Sequence, residues 1–370
     1  MLKSVLWGLG AVVGLYFAWS IYLALVLRWE DEHTVGLAYY GRPLAERTRF
    51  KKSLRLHAVL LAPLLWINSK LAKVDFRRVR VQVQGTSFPG GSCSVYSVSK
   101  AIAYAPRPED VFIVTQMKCG TTWMQHVVYQ VLHRGRGDIV AKGGAMYALS
   151  PWLEGRRSVS IDDAPVVGTA ARARIIKTHL PAQLCPKGDG ARYIYVARHP
   201  VSCFASCVDF VATNVGAMAP PMAAYEEWFR SKDLMWWGTW TDHVKGWWDR
   251  ARGNPRVLFL HFEDMKKDLA SVVRQVTAFL GIPPLDDAEL SAVVEQCGFA
   301  YMQEHQDHFE MHPPHILQTN AELFKAGTAD RHKDVPADVR QRTLAWARVE
   351  LKDSDYPLAA HYKDVAAAST

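Results

Sequence analysis

The sequence lacks paired cysteines. Cys93, Cys119, Cys185, Cys203, Cys207 and Cys297 are six in 370 residues, and no two of them form a C-x-x-C pair. That spacing gives neither a disulfide framework nor a zinc ribbon, so all six read as reduced thiols. No internal repeat or low-complexity tract appears, and 49% hydrophobic with 22% charged residues leaves no room for a disordered chain. No His, Cys, Asp and Glu cluster stands at metal-ligand spacing, so no metal is expected. A basic surface for nucleic acid is also missing, despite a formal net charge of +8. Residues 28–80 hold twelve Lys and Arg against five Asp and Glu, Lys3 supplies the remaining unit, and residues 81–370 balance. Cations gathered beside an apolar segment suit anionic lipid headgroups, and nucleic acid is not expected as a partner.

Formal charge is absent from Ser4 to Leu27, a run of 24 residues. A helix of that length reaches roughly 36 Å, against a bilayer core of about 30 Å. Trp7, Trp19, Tyr22 and Trp29 lie toward its ends, as in an aromatic belt. A signal peptide is the competing reading, but its apolar region would be shorter and would close on small residues, whereas this run closes on Leu25-Val26-Leu27-Arg28. The expectation is a retained single-pass anchor over residues 1–28, with the heavier cationic flank placing the catalytic domain in the cytoplasm. A second apolar run, Ala58 to Ile67, is too short to span and is broken by Pro63. An interfacial helix and a helix packed on the domain are both open for it.

Residues 29–105 read as a basic juxtamembrane and linker region, within which 81–105 is either an accessory hairpin or linker. Beyond Pro106 and Pro108, over residues 106–365, apolar runs alternate with helical patterns. This predicts an α/β domain with a P-loop-like, mostly parallel sheet flanked by helices. Strands are expected at Val111–Thr115, Arg174–Lys177, Tyr193–Ala197 and Val257–Phe262, and helices at Thr121–His133, Val201–Phe210, Trp240–Arg252 and Leu269–Leu280.

The ends of three of those strands carry chemistry. Val111–Thr115 runs into Gln116-Met117-Lys118-Cys119-Gly120-Thr121-Thr122-Trp123 and then a helix. A strand, a short loop with Lys and Gly, and a helix start form a phosphate cradle of backbone N–H groups and helix dipole. The nucleotide-triphosphatase pattern GxxxxGK[ST] is absent, because the Lys precedes the Gly, and this disfavours a kinase or ATPase. Tyr193–Ala197 ends in Arg198-His199-Pro200, with Ser206 on the following helix; Arg198 offers a planar fork for a phosphate and Ser206 a hydroxyl. Arg174–Lys177 ends in Thr178-His179-Leu180-Pro181, placing Lys177 and His179 where open α/β sheets gather ligands.

Together these three segments resemble the motifs of the sulfotransferases that use 3′-phosphoadenosine 5′-phosphosulfate (PAPS). The first is similar to the K-S-G-T-T-W loop, with Cys119 for Ser. The second is similar to Y-V-x-R-N-P-x-D-x-x-x-S, with His199 for Asn and Ser202 for Asp. The third matches the catalytic-base motif K-T-H-L-P. The likeness covers roughly residues 106–345 and is closest to the cytosolic hydroxyl- and amine-sulfating enzymes.

The resemblance implies PAPS as co-substrate, with Lys118, Cys119, Gly120, Thr121 and Thr122 around the 5′-phosphosulfate and Trp123 on adenine. Arg198 and Ser206 would take the 3′-phosphate. Phe262, where Tyr is commoner, and Phe299, in Cys297-Gly298-Phe299 for Thr-Ser-Phe, would line the adenosine side. Phe324-Lys325-Ala326-Gly327 is similar to the lid over the 3′-phosphate, with Lys325 keeping a charge and Gly327 a turn. His179 would take the acceptor proton, and Lys118 and Lys177 would stabilise charge on the transferring and leaving oxygens. Trp152, Phe210 and the aromatic stretch Trp228–Trp248 suit a small apolar acceptor, such as a phenol, a sterol or a membrane lipid. A catalytically inactive membrane-associated nucleotide-binding protein and a lumenal carbohydrate sulfotransferase are the alternatives. A homodimer is left open.

Overall fold

The computed structural model describes residues 2–35, 37–310, 313–318 and 331–368. β1 (Arg80–Val83) and β2 (Thr86–Pro89) pair antiparallel around Gln84 and Gly85. Both turn residues have positive φ, 49° and 76°, as a two-residue hairpin turn demands. The central sheet consists of β3 (Asp110–Val114), β4 (Arg174–Thr178), β5 (Arg192–Ala197) and β6 (Val257–His261), all parallel in the order β4-β3-β5-β6. Each strand lies within a residue of its expected bounds.

A parallel sheet is covered on both faces, which is why these strands read as unbroken apolar runs. Val111 and Ile113 of β3 join Met124, Val127, Val131, Val272 and Val276, from helices Thr121–Leu132 and Leu269–Phe279, in one core layer. Phe112 and Val114 face the other way, toward Phe204, Val244 and Trp247 from helices Pro200–Val215 and Trp240–Ala251. The Pro200–Val215 helix is five residues longer than its expected C-terminus at Phe210. It starts where Pro is best tolerated, at the first helical position, and the His199 side chain caps it by accepting from the Ser202 N–H.

The N-terminal region contains a helical hairpin, and much of the expected juxtamembrane stretch is helix. Helix Leu2–Thr34 contains the whole expected anchor run and is long and apolar enough to cross a membrane. Helix Leu44–Leu71 returns beside it, with Tyr16 Oη donating to Asn68 Oδ1 (3.1 Å), Tyr22 meeting His57, and Trp29 against Phe50 at 5.0 Å. Pro63 does not break this second helix. Its ring occupies an exposed position, and the helix forfeits only the bond that an N–H at 63 would make. The hairpin is tied to the rest of the chain through Arg47, which is buried and donates to the carbonyls of Gly143, Gly144 and Asp307 (3.1, 3.1 and 3.2 Å).

At the bottom of the sheet Asp110 and Arg174 form a fully buried ion pair at 3.3 Å, one at the start of β3 and one at the start of β4. Asp110 Oδ2 also accepts from Tyr104 Oη (2.7 Å) and the Arg107 N–H (2.8 Å), while Oδ1 faces the guanidinium without a hydrogen bond of its own. Asp110→Ala would strand the guanidinium, and the expected loss is about 3–5 kcal/mol in urea unfolding of the detergent-solubilised protein. An Asp110→Ala/Arg174→Met double variant, which removes both charges, should recover part of that loss.

Candidate active site

Three strand ends converge at the top of the sheet. After β3 the chain passes through Lys118, at φ 66°, and Gly120, at φ 100°, before helix Thr121–Leu132 begins. Left-handed residues in such a loop turn successive N–H groups toward a concavity that suits an anion. The first bond of the helical ladder runs from Met124 N–H to the Gly120 carbonyl (3.0 Å), so the N–H groups of Thr121, Thr122 and Trp123 precede it. Gly120 is required twice over: its φ disfavours a side chain, and an added Cβ would stand 2.8 Å from the Phe262 ring.

Cys119 does not face this concavity. Its thiol is buried 3.6 Å from Cys203 Sγ, and Cys203 lies 4.0 Å from Cys207, all three near the Met117 carbonyl. Burial pushes the Cys119 thiol well above its usual pKa. The Cys119 N–H closes a turn on Gln116 (3.3 Å), so this residue shapes the loop from beneath. All six cysteines are free and buried, as their spacing suggested.

Arg198, at the end of β5, donates through Nη1 to the Lys118 carbonyl (2.9 Å) and to Ser206 Oγ (3.0 Å), and its guanidinium lies 4.4 Å from the Phe262 ring centroid. The two residues expected to take the 3′-phosphate are thus bonded to each other and to the first loop. Phe262 meets Trp123 edge-on at 5.4 Å, and Lys266 Nζ stands 5.8 Å from both Trp123 and Phe299. The aromatic residues assigned to the adenosine side therefore assemble next to the loop. Lys325 and Gly327 lie outside the described residues.

At the end of β4, His179 is buried between Trp152, at 5.6 Å, and Trp237, at 4.8 Å. Its Nδ1 lies 2.9 Å from the Thr115 carbonyl, which can only accept, so Nδ1 carries the proton and Nε2 the lone pair. Thr115 Oγ1 in turn bonds Thr121 Oγ1 (2.7 Å), linking the imidazole to the phosphate loop. Burial, reinforced by the positive charge of Lys177, holds the His179 pKa well below its usual value. Burial also lowers Lys177 to about 8, although Glu154 opposes the shift. Its Nζ rests 4.1 Å from the Trp152 ring. Lys118 Nζ is 4.8 Å from the Phe210 ring, so both expected acceptor-side aromatics sit against the two lysines.

Four contributors escaped the sequence reading. Glu154, fully buried, accepts from the His179 N–H and Thr178 Oγ1, both at 2.8 Å. His243 donates from Nε2 to the His179 carbonyl (3.0 Å) while its Nδ1 accepts from Tyr195 Oη (3.0 Å). Within the Trp228–Trp248 stretch only Trp237, at φ 62°, packs on the base, whereas Trp228, Trp240 and Trp247 are core. Finally, a narrow cavity beside Lys177, too tight to hold a water molecule, is lined by Thr122, Gln125, Met146, Tyr147, Lys177, Phe309 and Glu310. The helical hairpin reaches its wall: Glu310 accepts from Tyr39 Oη (2.8 Å) and pairs with Lys51, and Tyr40 stacks on Tyr147 at 4.7 Å.

One trio of potential metal ligands occurs among the described residues, His261, Asp264 and His361. The two imidazoles stack at 3.5 Å and 16°, so their in-plane lone pairs run side by side and do not meet on one ion.

An α/β layer with a donor-lined anion loop, a second cationic turn and a buried imidazole at neighbouring strand ends defines a group-transfer enzyme for a phosphorylated donor. A family model described as a sulfotransferase domain matches residues 108–354, and the chain belongs to the sulfotransferase family, the PAPS-dependent class its motifs resemble. It is 30% identical over 228 residues to sulfotransferase 1C2 of Homo sapiens, covering 60% of this chain and 75% of that one. It is 29% identical over 258 residues to sulfotransferase 1E1 of Mus musculus, covering 68% and 86%. In fold it is similar to mouse sulfotransferase SULT7A1 complexed with PAP, with TM-score 0.59 and 21% identity over 79% of this chain and 100% of that one. It is also similar to retinol dehydratase in complex with retinol and PAP, with TM-score 0.58 and 19% identity over 77% and 98%.

Gly120→Ala tests the loop geometry without touching a charge. Backbone strain alone should cost about 1–3 kcal/mol. Thermal unfolding should fall accordingly, and PAP should no longer raise the midpoint as it does for the wild type.

Proposed function

We propose that this protein transfers the sulfuryl group of PAPS directly to the hydroxyl of an apolar acceptor, with His179 as general base. The observation that carries this reading is the Nδ1–H of His179 on the Thr115 carbonyl, which leaves Nε2 as a neutral, desolvated proton acceptor beside two lysines. PAPS supplies a sulfuryl group on a good leaving group. The residues around the loop fit such a donor: N–H groups and hydroxyls at the helix start, Lys118, and the Arg198–Ser206 pair all donate toward anions.

In this reading Lys118 and the helix start hold the 5′ end, and Arg198 and Ser206 hold the 3′-phosphate. Trp123, Phe262 and Phe299 form the adenine platform. The acceptor oxygen attacks sulfur in line as His179 Nε2 takes its proton, one S–O bond forming while the bond to the departing phosphate breaks. Lys118 and Lys177 meet the charge that builds on the transferring oxygens, in a site that excludes water. Trp152, Trp237 and Phe210 give the acceptor an apolar seat. A fold neighbour that holds retinol together with PAP supports an apolar acceptor. Helix Leu2–Thr34 is read as the membrane anchor, which favours a hydroxylated lipid, a sterol or a phenol presented at a bilayer. The catalytic domain is assigned to the cytoplasmic side by its cationic flank.

His179→Ala is expected to lower kcat for sulfate transfer by about 10²–10⁴-fold while PAP binding stays within a fewfold, read by radiolabelled transfer and by calorimetry. Transfer unaffected by the substitution would reject the base. The pH profile has a definite sign. Because the His179 pKa lies below 6.5, the base stays neutral and kcat/KM should hold as pH falls through 6.5. Lys177 loses its charge as pH rises through about 8, so the alkaline limb should break there. Lys177→Arg, which cannot titrate in that range, should move the alkaline break upward.

A further inference from the structure

We propose that the protein meets the bilayer through a second, broader face besides the first helix: the exposed side of helix Leu44–Leu71 together with the 215–224 loop, docked on a phospholipid surface with anionic headgroups. The proposal rests on the reading of helix Leu2–Thr34 as membrane-inserted.

Leu56, Val59, Leu60, Trp66 and Leu71 are each more than half exposed. At 3.6 residues per turn these positions fall, with Pro63, on a single helical face. The opposite face is the one that packs, through Leu54, Leu61 and Leu64. No Asp, Glu, Lys or Arg occurs from Leu56 to Ser69, and exposed cations stand at both ends, Arg49, Lys52 and Arg55 before the run and Lys70 and Lys73 after it. An apolar stripe about 24 Å long, closed at each end by lysine and arginine, matches a helix lying in the headgroup boundary with its cations reaching outward.

The stripe does not end with the helix. Lys73 Nζ donates to the Ala217 carbonyl (2.6 Å) and the Val74 N–H to that of Met218 (2.9 Å), so the helix end abuts a loop of the catalytic domain. That loop lies in a sequence without Asp, Glu, Lys or Arg from Phe210 to Tyr225, and Ala217, Pro221, Met222 and Ala223 are exposed. A soluble surface seldom leaves so long a charge-free stretch beside an exposed apolar helix. Continuity with the anchor helix, and cations at the borders, identify the occupant as lipid.

The same face leads to the site. Phe210, under the Lys118 ammonium, lies in the last turns of helix Pro200–Val215, and Met218 follows in the short 3-10 turn Gly216–Met218 just beyond its end. On the other side the hairpin reaches the cavity wall through Tyr39, Lys51 and Glu310. An acceptor dissolved in the bilayer would thus reach the lysines from the membrane side without crossing water.

The test uses full-length protein in phosphatidylcholine vesicles containing a minority of phosphatidylserine and brominated acyl chains, with an environment-sensitive dye on one introduced cysteine at a time. The six native thiols are buried, so they do not compete for label. Val12→Cys reports the first helix, Val59→Cys and Met222→Cys the proposed face, and Ala288→Cys, exposed on helix Asp287–Gln296, is the control. Quenching at Val12, Val59 and Met222 but not at Ala288 is expected. Quenching at Val12 alone would overturn the proposal and leave a simple stalk. Quenching at none of the four would overturn the anchor reading as well, which separates the two failures, and neither result depends on catalytic activity.

Discussion

The buried carboxylate of Glu154 is the interaction on which the site depends. It sits in the chain segment that bridges β4 alongside Lys177, and it accepts from the backbone of His179 and the hydroxyl of Thr178. An imidazole, a lysine and a phosphate loop lined by donors would otherwise crowd positive charge and donors at one end of a dry sheet. Each Glu154 oxygen accepts one bond from that strand end, Oε1 from the His179 N–H and Oε2 from the Thr178 hydroxyl, which holds the backbone that carries the ring beside the Thr115 carbonyl. Burial raises the Glu154 pKa, and the bonds from His179 and Thr178 only partly oppose it. The His179 tautomer itself follows from the Thr115 carbonyl at Nδ1.

The sheet was readable because a parallel strand is covered on both faces and so is written as an apolar run. β3 to β6 come within a residue of their expected bounds, and Pro200 and His199 show why one helix starts where it does. The anchor run was legible from its missing charge. A helix over Ala58–Ile67 was legible too, but not its full extent, Leu44–Leu71, because the residues before Ala58 are rich in charge and carry no apolar run. Its tie to the cavity wall was hidden for a different reason: Tyr39, Lys51 and Glu310 are joined across more than 250 residues, and no local pattern reports such a contact.

The site was legible in the same uneven way. Lys118, Arg198, Ser206 and His179 belong to contiguous motifs, and the structure brings them within one cluster. Cys119 stands inside such a motif yet turns its thiol into the core, where Cys203 and Cys207 fill the space beneath the loop. Trp237 was one aromatic among many, and only its packing on His179 distinguishes it from the tryptophans of the core. Position in a motif told where the chain turns at a strand end, whereas side-chain direction had to come from packing.

The anion loop thus stands at the end of the parallel sheet, and the helical hairpin packs against the neighbouring wall through Tyr39, Lys51 and Glu310. The most direct measurement is to supply the full-length protein in vesicles with PAPS carrying radiolabelled sulfur, together with a membrane lipid extract, and to follow the label. The account predicts label in an organic-soluble sulfate ester, with one PAP released for each ester formed. PAPS left intact across phenols, sterols and lipid extracts, with PAP shown to bind, would contradict it.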